Sequence, residues 1–194
     1  MRPEEDILNE IIKFFSGIFE TSKNKKGYHY AIYKETWLKK LGLRPSDADE
    51  AKSARTTKEL QRYLKEKFGD RVKPEASVAE GMTLRFETIN GGKEIKIDSS
   101  KLQAFDILDL ESGTAFEISL SDAFAEFFKD VLKALLDSKV KNLYICMRNH
   151  TYEGAGKSGY IKVASSEMVQ QYMSLARLYK LDIFLVDLFP QCNK

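Results

Sequence analysis

Ala104-Phe-Asp-Ile-Leu-Asp-Leu110, Glu111-Ser-Gly-Thr114 and Ala115-Phe-Glu-Ile-Ser-Leu120 form the stretch whose reading decides the fold. Two β-prone runs flank a short polar segment with a glycine, which is the signature of an antiparallel hairpin. Side chains alternate in face along a strand, and residues paired across a hairpin share a face. A turn centred on Ser112-Gly113 sets Asp106 against Ser119. A turn centred on Glu111-Ser112 sets Asp106 against Glu117. Either even-length turn projects Asp106, Glu117 and Ser119 from one side. Asp109 joins them only if the loop has an odd count, so it is expected off that face.

Working outward, a helix is expected over about 122–137, where Phe124, Phe127, Phe128, Val131 and Leu135 recur at helical spacing. Asn142 to Met147 reads as a buried strand. A polar loop runs from Arg148 to Ser165. A helix carrying Val169, Tyr172, Met173 and Ala176 follows, and then a strand over 182–188. Upstream, Met82 to Ile89 and Lys93 to Asp98 alternate around Asn90-Gly91-Gly92, a second hairpin signal. The first 76 residues read as helical. Pro3 and the acids Glu4, Glu5 and Asp6 open one helix. Residues 33–41 give a short one stopped by Gly42. A third is expected over 46–54, capped by Ser46. Thr56 and Glu59 form a capping box for a fourth that ends at Gly69. Hairpins followed by α, β, α, β predict an α/β fold. Its mixed sheet is antiparallel at one end, parallel at the other and flanked by helices. The expected organisation is a helical N-terminal region over 1–76 and a core over 77–194, together one compact unit.

The chain has 194 residues, 43% hydrophobic and 31% charged, an ordinary globular composition. Its longest apolar runs are four or five residues, too short to span a bilayer. Met-Arg-Pro-Glu-Glu-Asp at the start is too acidic for a secretory signal. Cys146 and Cys192, the two cysteines, give neither a disulfide framework nor a zinc cluster. A cytoplasmic location is the expectation. The net charge of +2 hides an uneven distribution. Residues 1–76 carry 17 Lys/Arg against 13 Asp/Glu, residues 77–137 carry 6 against 12, and residues 138–194 carry 8 against 4. An acidic centre between basic flanks suits a cation site beside surfaces that attract a polyanion.

Asp106 and Glu117 on adjacent strands call for compensation, because like charges this close raise a pKa or recruit a cation. Mg²⁺ takes one or two carboxylates, keeps several waters and shares a phosphate oxygen. Phe105-Asp-Ile-Leu108 with Thr114-Ala-Phe-Glu-Ile-Ser-Leu120 resembles the hairpin motif of the PD-(D/E)XK nuclease superfamily. The order of elements over about 100–190 resembles type II restriction endonucleases of the BglII/BamHI group. The resemblance implies a Mg²⁺-dependent DNA endonuclease on a restriction-endonuclease-like sheet. Asp106, Glu117 and the Ile118 carbonyl become metal ligands. Asp106, Glu117 and Ser119 become the catalytic set. Double-stranded DNA is the implied partner, and cutting both strands asks for a homodimer. Ser119 stands where the superfamily usually has Lys, whose charge would act on the attacking water and the developing phosphorane. Lys129 and Lys133 on the following helix are substitutes for it, although each reads first as an exposed helix lysine. Glu87 is a further ligand candidate or an ordinary surface acid.

The polar loop supplies Arg148, Asn149, His150, Lys157 and Ser158 as candidate DNA contacts, with Lys162 nearby; Arg, Lys and Asn can bond base edges or phosphates. Gly154-Ala-Gly-Lys-Ser158 carries part of a P-loop, but the pattern needs Gly where Thr151 stands. The alternatives to restriction are a repair or junction-resolving nuclease of the same fold, and a DNA-binding module that has lost catalysis.

Overall fold

The computed structural model describes residues 4–23, 25, 27, 29–78, 85–86, 93–94, 103–120, 123–148 and 163–190. In chain order the elements are α1 (Glu5–Ile18), β1 (Phe19–Lys23), β2 (His29–Tyr33), α2 (Glu35–Lys40), α3 (Asp49–Phe68), β3 (Val72–Ser77), β4 (Arg85–Phe86) and β5 (Lys93–Glu94). They continue with β6 (Ala104–Asp109), β7 (Thr114–Ser119), α4 (Ala123–Leu136), β8 (Asn142–Met147), α5 (Glu167–Leu178) and β9 (Asp182–Asp187). The protein is α/β. Its five-stranded sheet has the order β3-β6-β7-β8-β9, antiparallel through β3, β6 and β7 and parallel through β7, β8 and β9.

Two parallel crossovers that advance in the same direction across a sheet place both helices on one face when each is right-handed. Phe127, Val131 and Ala134 of α4 and Val169 and Ala176 of α5 accordingly share one core with Ala115, Leu143, Ile145 and Ile183. The other face carries α1 and α3. Ile7, Ile11 and Phe15 of α1 pack with Leu60 and Leu64 of α3 on Ile107, Phe116, Ile118 and Cys146. No helix among the described residues is long and apolar enough to cross a membrane.

The decisive hairpin closes through Leu110–Gly113, with Asp109 paired to Thr114 and Ile107 to Phe116. Gly113 adopts φ 67°, and a Cβ there would lie 2.6 Å from the Lys139 carbonyl oxygen. Its own carbonyl accepts from Lys141 N at 2.9 Å. Only glycine combines that backbone conformation with so close an approach. Arg85 and Phe86 pair with Glu94 and Lys93, the described part of the upstream hairpin.

The N-terminal region departs from the all-helical expectation. It contains the β1–β2 hairpin and most of β3, so a boundary at 76/77 falls inside a strand of the main sheet. Pro74 concealed β3, yet proline is tolerated on an edge strand, which β3 is. The two helices expected over 46–54 and after Thr56 are one helix, α3. Thr56 does not cap it. It is buried mid-helix, and its hydroxyl accepts from Trp37 Nε1 at 3.1 Å.

Asp109 points away from Asp106 and is fully buried. Arg71 grips it with Nε at 3.0 Å and Nη2 at 2.9 Å, and reaches Asp6 of α1 with Nη1 at 2.8 Å. The Arg71 fork thus fastens α1 to the hairpin. Burial pushes the Asp109 carboxyl up, but Arg71, Ser112 and the Glu111 amide outweigh it and hold the pKa below the usual range. A carboxylate with a lowered native pKa contributes stability above its unfolded pKa of about 3.9 and loses it as pH falls through the native value. Asp109→Asn is therefore expected to lower stability at pH 7 by on the order of 3 kcal/mol. The deficit should shrink below pH 3 in denaturant titrations. A deficit independent of pH would remove the ion pair as its cause.

Candidate functional site

A cleft of about 490 Å³ opens between α3, α4 and the ends of β6 and β7. Asp106, Glu117, Ile118, Ser119, Lys129 and Lys133 all border it. The hairpin register brings these groups together. The numbers paired between β6 and β7 sum to 223, so extending the ladder by one step sets Asp106 opposite Glu117. The Asp106 carboxylate accepts from Ile118 N at 2.8 Å, and it lies within hydrogen-bonding reach of Glu117. Both carboxyls are pushed upward in pKa, primarily by burial. For Glu117 the neighbouring charges of Asp130 and Asp106 add to this.

The strand carrying Asp106 is irregular at that residue. β3 pairs with β6 at Pro74–Ile107 and again at Ala76–Phe105, but skips Glu75–Asp106. Glu75 has φ 48°, unusual for a residue with a side chain. The Asp106 carbonyl accepts instead from Gln61 Nε2 of α3 at 2.9 Å. Regular alternation would put Phe105 and Ile107 together, both facing away from Asp106. In the structure Phe105 packs in the α4-side core and Ile107 in the α1-side core. The break at Glu75 and Asp106 is the physical reason.

Lys133 brings a cation to the cleft. It is not an exposed helix lysine: it is 7% exposed, and its ammonium lies 2.5 Å from Glu117 Oε1 and 3.0 Å from Asp130 Oδ1. Nζ also donates to the Ala104 carbonyl at 3.2 Å. Burial pulls the Lys133 pKa down, and the two carboxylates more than reverse this. Burial pushes Asp130 up to about 6. Among the described residues, neither Glu117 Oε1 nor Asp130 Oδ1 has an aligned hydrogen-bond partner; each has only the charge contact. Lys129 is more exposed than Lys133 and pairs with Glu126 on its own helix. Asp130 and Gln61 escaped the sequence reading. Asp130 did carry a signal, since it falls three residues after Phe127 and four before Ala134, inside the apolar stripe of α4.

Ser119 is buried at the end of β7 and borders the cleft. Ile118 turns its side chain into the α1-side core. Arg148, expected to read DNA from the polar loop, is instead 5% exposed. Its Nη2 donates to Asp49 of α3 at 2.9 Å, and its guanidinium lies 5.3 Å from the Tyr33 ring centroid. It joins the end of β8 to α3, because the residue that directly follows a buried parallel strand is still within the core. Asn149, His150, Lys157, Ser158, Lys162 and Glu87 lie outside the described residues. Among the described residues no group of three or more His, Cys, Asp or Glu side chains is spaced to hold a metal ion.

Removing Lys133 leaves the neighbouring carboxyls of Glu117 and Asp130 without their shared cation. Lys133→Met is expected to cost less at pH 5, where Asp130, pushed up to about 6, is largely protonated and Glu117 is more protonated than at higher pH. As they ionise toward pH 8 the cost should grow to on the order of 3 kcal/mol, roughly 10 °C in Tm. Thermal melts at the two pH values check this, and an equal loss at both would assign Lys133 a packing role alone. Comparison with protein-family models, with curated proteins and with solved structures finds no match for this chain.

Proposed function

We propose that the protein is a Mg²⁺-dependent DNA endonuclease of the PD-(D/E)XK kind, most simply a type II restriction endonuclease. The observation that carries this reading is the convergence of Asp106, Glu117 and Lys133 in one cleft, with Ser119 and Ile118 beside them.

The residues present fit a divalent cation. Glu117 and Asp130 share one ammonium and Asp106 lies beside Glu117, so with all three ionised the cluster has a surplus of two negative charges. Surplus buried charge of this sign favours a cation. A Mg²⁺ site needs only one or two protein carboxylates when water and a substrate phosphate complete it, so a larger acidic cage is not required. Asp106 and Glu117 would hold the ion, with the Ile118 carbonyl at its edge. When bound, Mg²⁺ would acidify a water and neutralise phosphoryl charge.

The chain's own groups divide the remaining work. Ile118 N fixes one oxygen of Asp106, and Gln61 holds the backbone behind it. Lys133 sets the orientation of Glu117 and supplies the positive charge that the Ser119 position lacks, near where negative charge develops on the phosphoryl oxygens. Ser119 can orient a water. One chain carries one such cluster, so a twofold dimer is the assembly that would cut both strands of a palindrome. A repair or junction-resolving nuclease would use the same groups on a branched substrate. A second reading, a DNA-binding module without catalysis, is favoured by Ser119 itself and by the engagement of Lys133 with two carboxylates.

Incubation of the purified chain with supercoiled plasmid is expected to give nicked or linear DNA with Mg²⁺ and none with a chelator. Asp106→Asn and Glu117→Gln should each reduce this by at least about 100-fold while the chain stays folded, whereas Ser119→Ala should reduce it less. Mg²⁺ should raise the Tm of the wild-type chain and leave that of Asp106→Asn unchanged. DNA binding with no cleavage under any divalent ion would favour the binding module. Full activity in either carboxylate variant would remove the site.

A further inference from the structure

We propose that the exposed face of α3 formed by Lys58, Arg62 and Lys65 is the track on which the phosphate backbone of double-stranded DNA lies as it enters the cleft. A second groove of about 400 Å³ runs along α3 and is bordered by these three residues together with Gln61, Glu66, Pro74 and Glu75. Lys58, Gln61 and Glu75 also border the cleft, so the groove and the cleft are continuous.

At 100° and 1.5 Å per residue, positions 58, 62 and 65 fall within about 60° of one another and span about 10 Å of the helix. One strand of a duplex carries a charge about every 3.4 Å along its axis, so this row matches about three phosphates. The three cations are free to turn toward such a partner. All three are exposed, and Lys58 makes no ion pair among the described residues. Arg62 pairs with Glu59 at 2.7 Å and Lys65 with Asp70 at 2.9 Å. Exposed pairs of this kind contribute little and exchange readily for phosphate. Arg55 lies beside this face, but its guanidinium is held by the Leu41 carbonyl at 2.7 Å, so it is not assigned to the track.

The cleft gives the reason that such a track is needed. Its carboxylates repel a phosphodiester, and Lys133 is engaged among them. An attractive surface must therefore adjoin the cleft if a polyanion is to enter it. The identity of the polyanion rests on the nuclease reading, but the track is tested through binding alone.

The test uses the full chain carrying Asp106→Asn, a labelled 20-base-pair duplex and a chelator. Adding Lys58→Gln, Arg62→Gln and Lys65→Gln is expected to weaken binding at least tenfold at low salt. It should also reduce the slope of log K against log salt by two to three. A control carrying Lys13→Gln, Lys139→Gln and Lys141→Gln removes the same charge at exposed positions on α1 and before β8, and should bind within twofold of the parent. Equal weakening in the control, an unchanged triple variant, no binding of DNA by the parent, or tighter capture of a polyglutamate peptide than of the duplex would each overturn the track. Plasmid nicking by the wild-type chain is read in parallel. Binding lost through the track without any nicking overturns the nuclease reading alone, and nicking with binding indifferent to the three residues overturns the track alone.

Discussion

The site depends on one buried ammonium. Lys133 sits between Glu117 on the sheet and Asp130 on its own helix, so α4 and β7 are joined by charge as well as by the apolar contacts of Phe127 and Val131. A buried ion pair is a poor source of net stability, since desolvation offsets most of the attraction. What it does supply is direction. The Glu117 carboxylate cannot swing away without leaving Lys133 with Asp130 as its one remaining carboxylate partner among the described residues. With the Ile118 amide fixing Asp106, two acids that would otherwise repel are held within reach of each other.

The sheet end that carries these acids is shaped by a defect. Glu75 leaves the β3–β6 ladder, and a side chain from α3, Gln61, replaces the lost backbone partner of Asp106. The cleft opens at the same level, and the helix that repairs the defect also forms its wall. The N-terminal region is thus part of the site. α3 supplies the support behind Asp106 and, through Asp49, the anchor for Arg148.

Much of the core was legible in the sequence because its signals are local. Alternation and a glycine turn located β6 and β7, and helical spacing of phenylalanines located α4. Even loop length placed Asp106 and Glu117 on one face and sent Asp109 to the other. Long-range pairings were not legible. Nothing near Arg148 announces Asp49, 99 residues away, and nothing near Asp109 announces Arg71. Lys133 was visible only as one of several helix lysines, because its burial is decided by Glu117 on another element. β3 was hidden by Pro74, and Thr56 mimicked a capping residue because a helical sequence does not reveal where the helix passes beneath a tryptophan.

Gly113 has a reach beyond its own turn. The hairpin loop rests on the main chain at Lys139 and receives a hydrogen bond from Lys141, so it abuts the segment that leads into β8. From there β7 and β8 run in parallel register from Thr114–Asn142 to Ser119–Met147. A methyl group at position 113 would wedge these two strands apart at their origin. Such a displacement, carried along two rigid rungs, would arrive at Glu117 as a change of aim, so the sheet's far rim helps to set the geometry of a cleft it never touches.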